Sequence, residues 1–315
     1  MIKESHNWSY NAAPTATSER LTRARLQWCS TALGKLGCAI PNGGRLSLAL
    51  RLLDDLANGV VAISEVSIRD QIAEVQRMAW EFMLILIAAV DGRQAPSPFT
   101  VDKLEQMLRG ALVPGGGDDP ARNIQFELYV PALLALGGFA IHPGPPDAKV
   151  TIFDEQIGVE AKRVSSLNPE TLRSHLRNAS RQAVGSRSVG ILEIVEYRGI
   201  IAVNVDTYFN ELRPQENPID LIKQFQNCLD PLDNASKVLR DKTGIIGLLA
   251  CGYVAGWHSS SDGYRFDVLY PTRWVSLHGD DKVDRRLAEQ LTMVLGRMER
   301  RCREIQAQVP KALTF

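Results

Sequence analysis

Residues 145–163 read PPDAKVTIFDEQIGVEAKR, and the organisation of the second half of the chain follows from them. Apolar and polar residues alternate in two runs, 148–154 and 156–164. Alternation with a period of two is typical of β-strands, so the spacing predicts two consecutive strands joined by a hairpin turn. Beyond them, Asn168-Pro169-Glu170 has the cap, the first position and the acidic first turn of a helix. These elements predict a mixed α/β region.

The second of these strands carries its charged side chains on one face. In the run 157–162, Gly158, Glu160 and Lys162 alternate with apolar residues, so one face is predicted to be core and the other charged. Asp147 lies at the start of the preceding strand. A hairpin would fold Asp147 back beside Glu160 and Lys162, so that two carboxylates and one amine converge.

This convergence suits the hydrolysis of phosphodiester bonds. Asp147, Glu160 and the peptide carbonyl of Ala161 offer the hard oxygen ligands that Mg²⁺ or Mn²⁺ prefers. Such a metal polarises the phosphate and acidifies water, and Lys162 can position that water or offset charge in the transition state. The triplet acid-any-Lys occurs three times in the sequence, however, beginning at Asp147, Glu160 and Asp280. A hairpin with a merely solvated outer face is therefore the plain alternative.

The wider pattern resembles the PD-(D/E)xK nuclease superfamily over residues 121–206. It reads helix, strand, Pro146-Asp147 and strand, Glu160-Ala161-Lys162 in the next strand, then helix. The resemblance implies a restriction-endonuclease-like core, with a central mixed sheet flanked by helices, behind an α-helical N-terminal region. In that superfamily the first helix often adds an acidic residue and the second a Gln or Lys, and Glu127 and Gln182 occupy those positions here. The implied catalytic residues are Asp147, Glu160, Lys162, Glu127 and Gln182, with Glu127 also a candidate metal ligand.

Local charge favours a phosphate partner, although the whole chain is neutral with 36 basic and 36 acidic residues. Arg173, Arg177 and Arg181 recur every four residues and so share one face of the predicted helix. With Arg163 they are candidates for binding nucleic acid, because a planar guanidinium can hold two phosphate oxygens. A solvated helix face is the common alternative. We expect nucleic acid as the partner, DNA rather than RNA.

The chain ahead of this core is predicted to be helical. After a flexible polar tail, residues 1–18, apolar residues at helical spacing predict about four helices over residues 19–114. A glycine-rich break over 113–120 places a domain boundary near residue 115, which leaves residues 115–315 for the nuclease-like domain. No motif in the helical region indicates chemistry, so we expect it to sense a signal, form a homodimer or dock a partner protein.

Other features exclude several classes of protein. The five cysteines form no CxxC or Cys/His pattern, which argues against structural zinc and a disulfide scaffold and favours the reducing cytoplasm. The longest apolar run, 78–90, contains Glu81 and is too short to cross a membrane, so no membrane partner is expected. The sequence has no phosphate-binding loop, dinucleotide fingerprint or deaminase signature.

Two functions stay open at this point. The first is a Mg²⁺-dependent DNA endonuclease, a hydrolase that by analogy would serve bacterial restriction or antiviral defence. The second is a catalytically silent module with a nuclease-like fold that binds nucleic acid or a partner protein.

Overall fold

A computed structural model describes residues 8–10, 15–17, 19–91, 97–113, 119–164, 168–184, 186–189, 193–196, 198–205, 231–232, 234–239, 244–260, 263–270, 272–277 and 282–312. The N-terminal region is helical, as predicted. Its helices are α1 (Glu19–Leu36), α2 (Arg45–Ala57), α3 (Val66–Asp91) and α4 (Val101–Met107). Within the described ranges, no helix combines the length and the apolar composition needed to cross a membrane.

The remaining elements are mostly strands, with helices between some of them. Two short strands precede α1: β1 (Trp8–Tyr10) and β2 (Thr15–Thr17). The other elements, in chain order, are α5 (Pro120–Leu136), β3 (Ala140–His142), β4 (Ala148–Ile152), β5 (Glu155–Arg163), α6 (Pro169–Ala183), β6 (Ser186–Val189), β7 (Glu193–Glu196), β8 (Arg198–Asn204), a 3-10 turn (Lys237–Leu239), β9 (Ile245–Cys251), β10 (Val254–Ser260), β11 (Gly263–Leu269), β12 (Thr272–Ser276) and α7 (Lys282–Ala312).

A seven-stranded mixed sheet forms the centre, in the order β1-β12-β9-β8-β5-β4-β3. Strands β3, β4 and β5 form an antiparallel meander, whereas β5, β8 and β9 run parallel. Strand β12 then pairs antiparallel with β9. The predicted fold class, a mixed α/β core with a central sheet flanked by helices behind a helical N-terminal region, is confirmed.

Helices cover both faces of this sheet. Ile157, Val159 and Ala161 of β5 point into a core shared with α1, α3, α5 and α7. Neighbouring residues of β8, such as Ile201 and Val203, point into a second core under α6. The first core joins side chains from both sides of the glycine-rich break, so the helical region and the sheet share one packed interior. The division near residue 115 stays a prediction.

The tail differs from its predicted form. Residues 1–18 are predicted to be flexible, but β1 pairs with β12 and β2 pairs with β11. An edge strand presents unpaired backbone N–H and C=O groups, and these two short segments satisfy some of them. Composition alone could not reveal this pairing, because the partners lie some 250 residues further along the chain.

The C-terminal strands also differ in one respect. The sequence predicts one hairpin of two long strands, 244–257 and 264–277. The hairpin is present, with Ser260 opposite Gly263, but each long strand is divided in two. Strands β9 and β12 join the central sheet, while β10 and β11 form a separate sheet with β2. Gly252 lies at the division between β9 and β10, and glycine weakens the interior of a strand.

Candidate active site

The hairpin of β4 and β5 brings Asp147 beside Glu160. Ala148 pairs with Val159, which places Asp147 opposite Glu160 on the same face of the sheet. The Asp147 amide donates to the Val159 carbonyl at 3.2 Å, and its carboxylate accepts from the Ala161 amide at 2.7 Å. The Asp147 side chain is thereby held at the mouth of the hairpin. The structure therefore brings these two carboxylates close together, while their catalytic roles stay predictions.

Glu160 and Lys162 form the centre of the cluster. The Lys162 Nζ lies 2.5 Å from Glu160 Oε1, and the Glu160 side chain is only 2% exposed while that of Lys162 is 33% exposed. Burial, aided by repulsion from Asp147 and Glu127, raises the pKa of Glu160 to about 7, although Lys162 opposes this. Burial alone would lower the pKa of Lys162, but contact with Glu160 outweighs it and raises that pKa.

The face that carries Glu160 is not a solvated surface. A side chain at Gly158 would come within 2.4 Å of the Ala183 carbonyl, and one at Gly199 within 2.7 Å of the Ala183 Cβ. Gly158 and Gly199 are partners on adjacent parallel strands, so together they let the end of α6 rest directly on the sheet. The plain alternative of a solvated outer face is therefore wrong. Glu160 is a buried carboxylate.

Glu127 joins the cluster from α5. Its side chain is 23% exposed and lies 3.7 Å from the Nζ of Lys103. Burial is the main cause of its raised pKa, and repulsion from Asp147 adds to it, while Lys103 and Lys162 act against it. The pKa of Asp147 is also raised by burial. Three carboxylates with raised pKa values thus stand close enough to influence one another.

Lys103 is a member of the cluster that the sequence did not reveal. It belongs to α4, which packs on α5, and its charge acts on both Glu127 and Asp147. No spacing rule connects residue 103 with the hairpin 147–162, because their proximity arises only from the packing of two helices. The exposed fraction of the Lys103 side chain is 30%, so it is not a freely solvated lysine.

Gln182, Arg173, Arg177 and Arg181 lie on α6, as the helix pattern predicts. Gln182 is exposed on α6 and, in the part of the chain that the structure describes, makes no hydrogen bond to the cluster. Arg177 and Arg181 are exposed, and Arg173 is partly exposed with its guanidinium 3.8 Å from Glu170. Arg163, at the end of β5, is half-buried. The roles of Gln182 and these arginines stay predictions.

The donor chemistry of the cluster fits Mg²⁺ or Mn²⁺. Carboxylate oxygens and the Ala161 carbonyl are the hard ligands that these ions take. In this cluster the Glu160 carboxylate contacts the Lys162 amine, and the Asp147 carboxylate accepts from the Ala161 peptide N–H. Among the described residues, no three acidic, His or Cys side chains are arranged to hold an ion. Because Lys162 Nζ contacts Glu160 Oε1, that oxygen would exchange this contact for an ion on binding it.

Comparison with known proteins adds no relative to this picture. No protein-family model matches the chain, and neither the curated proteins nor the solved structures contain a significant match.

Proposed function

We propose that this chain is a metal-dependent nuclease that hydrolyses phosphodiester bonds, with DNA as its preferred substrate. The observation that carries the proposal is the buried Glu160 carboxylate, which contacts Lys162 and faces Asp147 across the hairpin. Clustered carboxylates repel one another and are costly to bury, so they are a poor choice for stability. Strongly perturbed carboxyl groups of this kind concentrate at functional sites.

Each residue has a distinct task in the proposed reaction. Asp147 and Glu160 would hold Mg²⁺ or Mn²⁺ together with the Ala161 carbonyl, and Glu127 is the candidate further ligand. The bound metal supplies Lewis acidity toward the phosphate and lowers the pKa of water. Lys162, released from Glu160, would donate to a phosphate oxygen or orient the attacking water, where its charge offsets the charge that develops in the transition state.

The surrounding surface supports a polyanionic substrate. Arg173, Arg177 and Arg181 present guanidinium groups along the outer side of α6, opposite the buried Leu172 and Leu176. Such a row suits the regularly spaced phosphates of a duplex. Gln182, exposed on the same helix, would contact the substrate rather than the metal. We place the enzyme in the cytoplasm and propose bacterial restriction or antiviral defence as its setting, with the helical region forming a homodimer or docking a partner protein.

Cleavage assays with matched lysine variants test this function. Purified protein is incubated with supercoiled plasmid, linear DNA and RNA in Mg²⁺, in Mn²⁺ and in EDTA. Lys162→Met should abolish metal-dependent cleavage, whereas Lys149→Met, in the other acid-any-Lys triplet of the same hairpin, should retain it. Equal cleavage by both variants would exclude this site.

A binding-only module is the second candidate, favoured by the contact that the Lys162 amine makes with the Glu160 carboxylate. It predicts that wild-type protein retains nucleic acid in EDTA and cleaves no substrate in any metal. A mobility-shift assay run beside the cleavage assay separates the two functions.

A further inference from the structure

Lys103 of the N-terminal helical region reaches the carboxylate cluster. Its Nζ lies 3.7 Å from Glu127 Oε2, and the two side chains are 30% and 23% exposed. That distance is an ion contact rather than a direct hydrogen bond. Lys103 thus contacts the cluster through Glu127, and its charge also acts on Asp147.

The local structure does not explain a lysine at this position. Thr100 caps α4 and accepts from the Lys103 amide at 3.3 Å, so Lys103 lies in the first turn of the helix. A cation is disfavoured there by the partial positive charge of a helix N-terminus. The anchoring of α4 is supplied elsewhere, by the buried side chains of Leu104 and Met107. The benefit of Lys103 must come from what it faces.

Helix α4 is held firmly enough to position that side chain. The Glu105 carboxylate accepts from the Ala39 amide at 2.7 Å, and the Leu108 carbonyl accepts from the Arg45 amide at 2.8 Å. These two hydrogen bonds connect the C-terminal part of α4 and its cap to the start of α2 and to the loop before α2. Lys103 is therefore presented to the cluster by the helical region as a unit.

The charges of the assembled cluster suit a phosphodiester. Glu127, Asp147 and Glu160, with Lys103 and Lys162, leave one net negative charge when all five are ionised. A divalent cation would turn this into one net positive charge, which the single negative charge of a phosphodiester balances. Without Lys103, the metal-loaded cluster would be neutral and would attract the substrate less.

We propose that Lys103 is a substrate-binding residue of this site, supplied by the N-terminal helical region, whose ammonium group contacts a backbone phosphate of the bound nucleic acid. This inference rests on the proposed nuclease function. It makes the helical region a structural part of the active site, in addition to any role in sensing or dimerisation.

The salt dependence of DNA binding counts phosphate contacts and so tests the inference. A labelled duplex is titrated with full-length wild type, Lys103→Met, Lys103→Arg and the control Lys35→Met, in Ca²⁺ and at several salt concentrations. Lys103→Met should weaken binding and reduce the slope of log affinity against log salt by about 0.9, the value for one lost contact. Lys103→Arg should keep the slope, and Lys35→Met should resemble wild type.

Calorimetric titration of Mn²⁺ into the same variants separates substrate binding from structure. Removing a cation beside a metal site should leave Mn²⁺ affinity equal or higher, while DNA affinity falls. An unchanged salt slope in Lys103→Met would overturn the inference and leave the nuclease proposal standing. A parallel loss of Mn²⁺ affinity, DNA affinity and melting temperature would also overturn it, as a purely structural effect. If wild type binds neither Mn²⁺ nor DNA, the nuclease proposal itself fails and takes this inference with it.

Discussion

Among the residues that the structure describes, two groups of buried charged side chains differ in the pKa shifts of their carboxylates. Where α3 of the helical region meets α5, Arg77 contacts Glu81 at 2.9 Å, and Arg122 contacts Glu74 at 3.3 Å. Burial alone would raise the pKa of Glu74, but the arginines around it outweigh burial and lower that pKa. In the candidate active site, the pKa of Glu160 is instead raised to about 7.

The two groups differ in how completely neighbouring cations compensate the charge of their carboxylates. The helical cluster joins α2, α3 and α5 through Arg45, Glu74, Arg77, Glu81, Asp119, Arg122 and Gln125, so that each carboxylate faces at least one guanidinium or amide. The site cluster has more carboxylates than amines. Burial therefore outweighs the lysines and raises the pKa values of its carboxyl groups. A cluster whose charges compensate one another specifies how helices pack. An acidic cluster with too few cations lowers the stability of the fold, and such clusters are typical of functional sites.

The largest effect is expected from breaking the compensated cluster. Arg122→Met would leave Glu74 and Asp119 without a partner that contacts both, and the loss of one member of a buried pair costs about 3–5 kcal/mol of unfolding free energy. Urea unfolding measures it. Arg301→Met, which removes an exposed pair with Glu304, is the matched control and should change stability by less than about 1 kcal/mol. Similar losses in both variants would show that burial is not what makes the helical cluster matter.

The same substitution in each cluster should have opposite consequences. Glu160→Gln removes a repelled charge, so we expect a melting temperature at pH 8 no lower than wild type, with cleavage reduced about a hundredfold or more. Glu81→Gln removes a charge that Arg77 compensates, so it should lower the melting temperature. Differential scanning calorimetry and the cleavage assay give both numbers. A destabilised Glu160→Gln protein would place Glu160 among the structural charges.

Close packing of α6 on the sheet gives a smaller effect. Gly158→Ala would place a Cβ 2.4 Å from the Ala183 carbonyl, and overpacking of this kind costs about 1–3 kcal/mol. Gly34→Ala in α1 meets nothing within 4 Å and should stabilise by up to about 1 kcal/mol, since alanine is the better helix former. Urea unfolding of both variants checks the contrast. Equal stability of the two would mean that α6 does not need this glycine.

The pH dependence of stability gives the smallest and most specific contrast. An acid whose folded pKa is raised binds its proton more tightly when folded, so Glu160 should make the protein more stable as pH falls from about 7 toward its ordinary pKa near 4.5. Glu74, with a lowered pKa, contributes stability above 4.5 that is lost as pH falls below it. Unfolding free energies between pH 5 and 8 should therefore decline with rising pH in wild type and decline less in Glu160→Gln. Identical slopes would contradict the raised pKa.

The sequence was informative where the structure is local. The alternation in residues 148–163 and the cap at Asn168 each depend on neighbours within one or two turns, and both elements were predicted. The proximity of Asp147, Glu160 and Lys162 could be predicted from the sequence, because a single hairpin joins the segments that carry them.

What escaped prediction depends on distant packing. Three features arise between segments far apart in the chain: the pairing of β1 with β12 and of β2 with β11, the contribution of Lys103, and the packing of α6 on Gly158 and Gly199. Gly158 was assigned to a charged face by alternation, and only Ala183 explains why that position must be glycine. Such contacts cannot be predicted from the spacing of residues along the sequence.

Calorimetric titration of Mn²⁺ into wild-type protein and the double variant Asp147→Asn, Glu160→Gln tests the proposed metal site most directly. At pH 7, in two buffers of different ionisation enthalpy, wild type should bind Mn²⁺ and release protons, because metal binding displaces the proton that Glu160 holds. The double variant should lose that binding. No binding by wild type, or equal binding by the double variant, would contradict the assignment of a catalytic metal to these carboxylates.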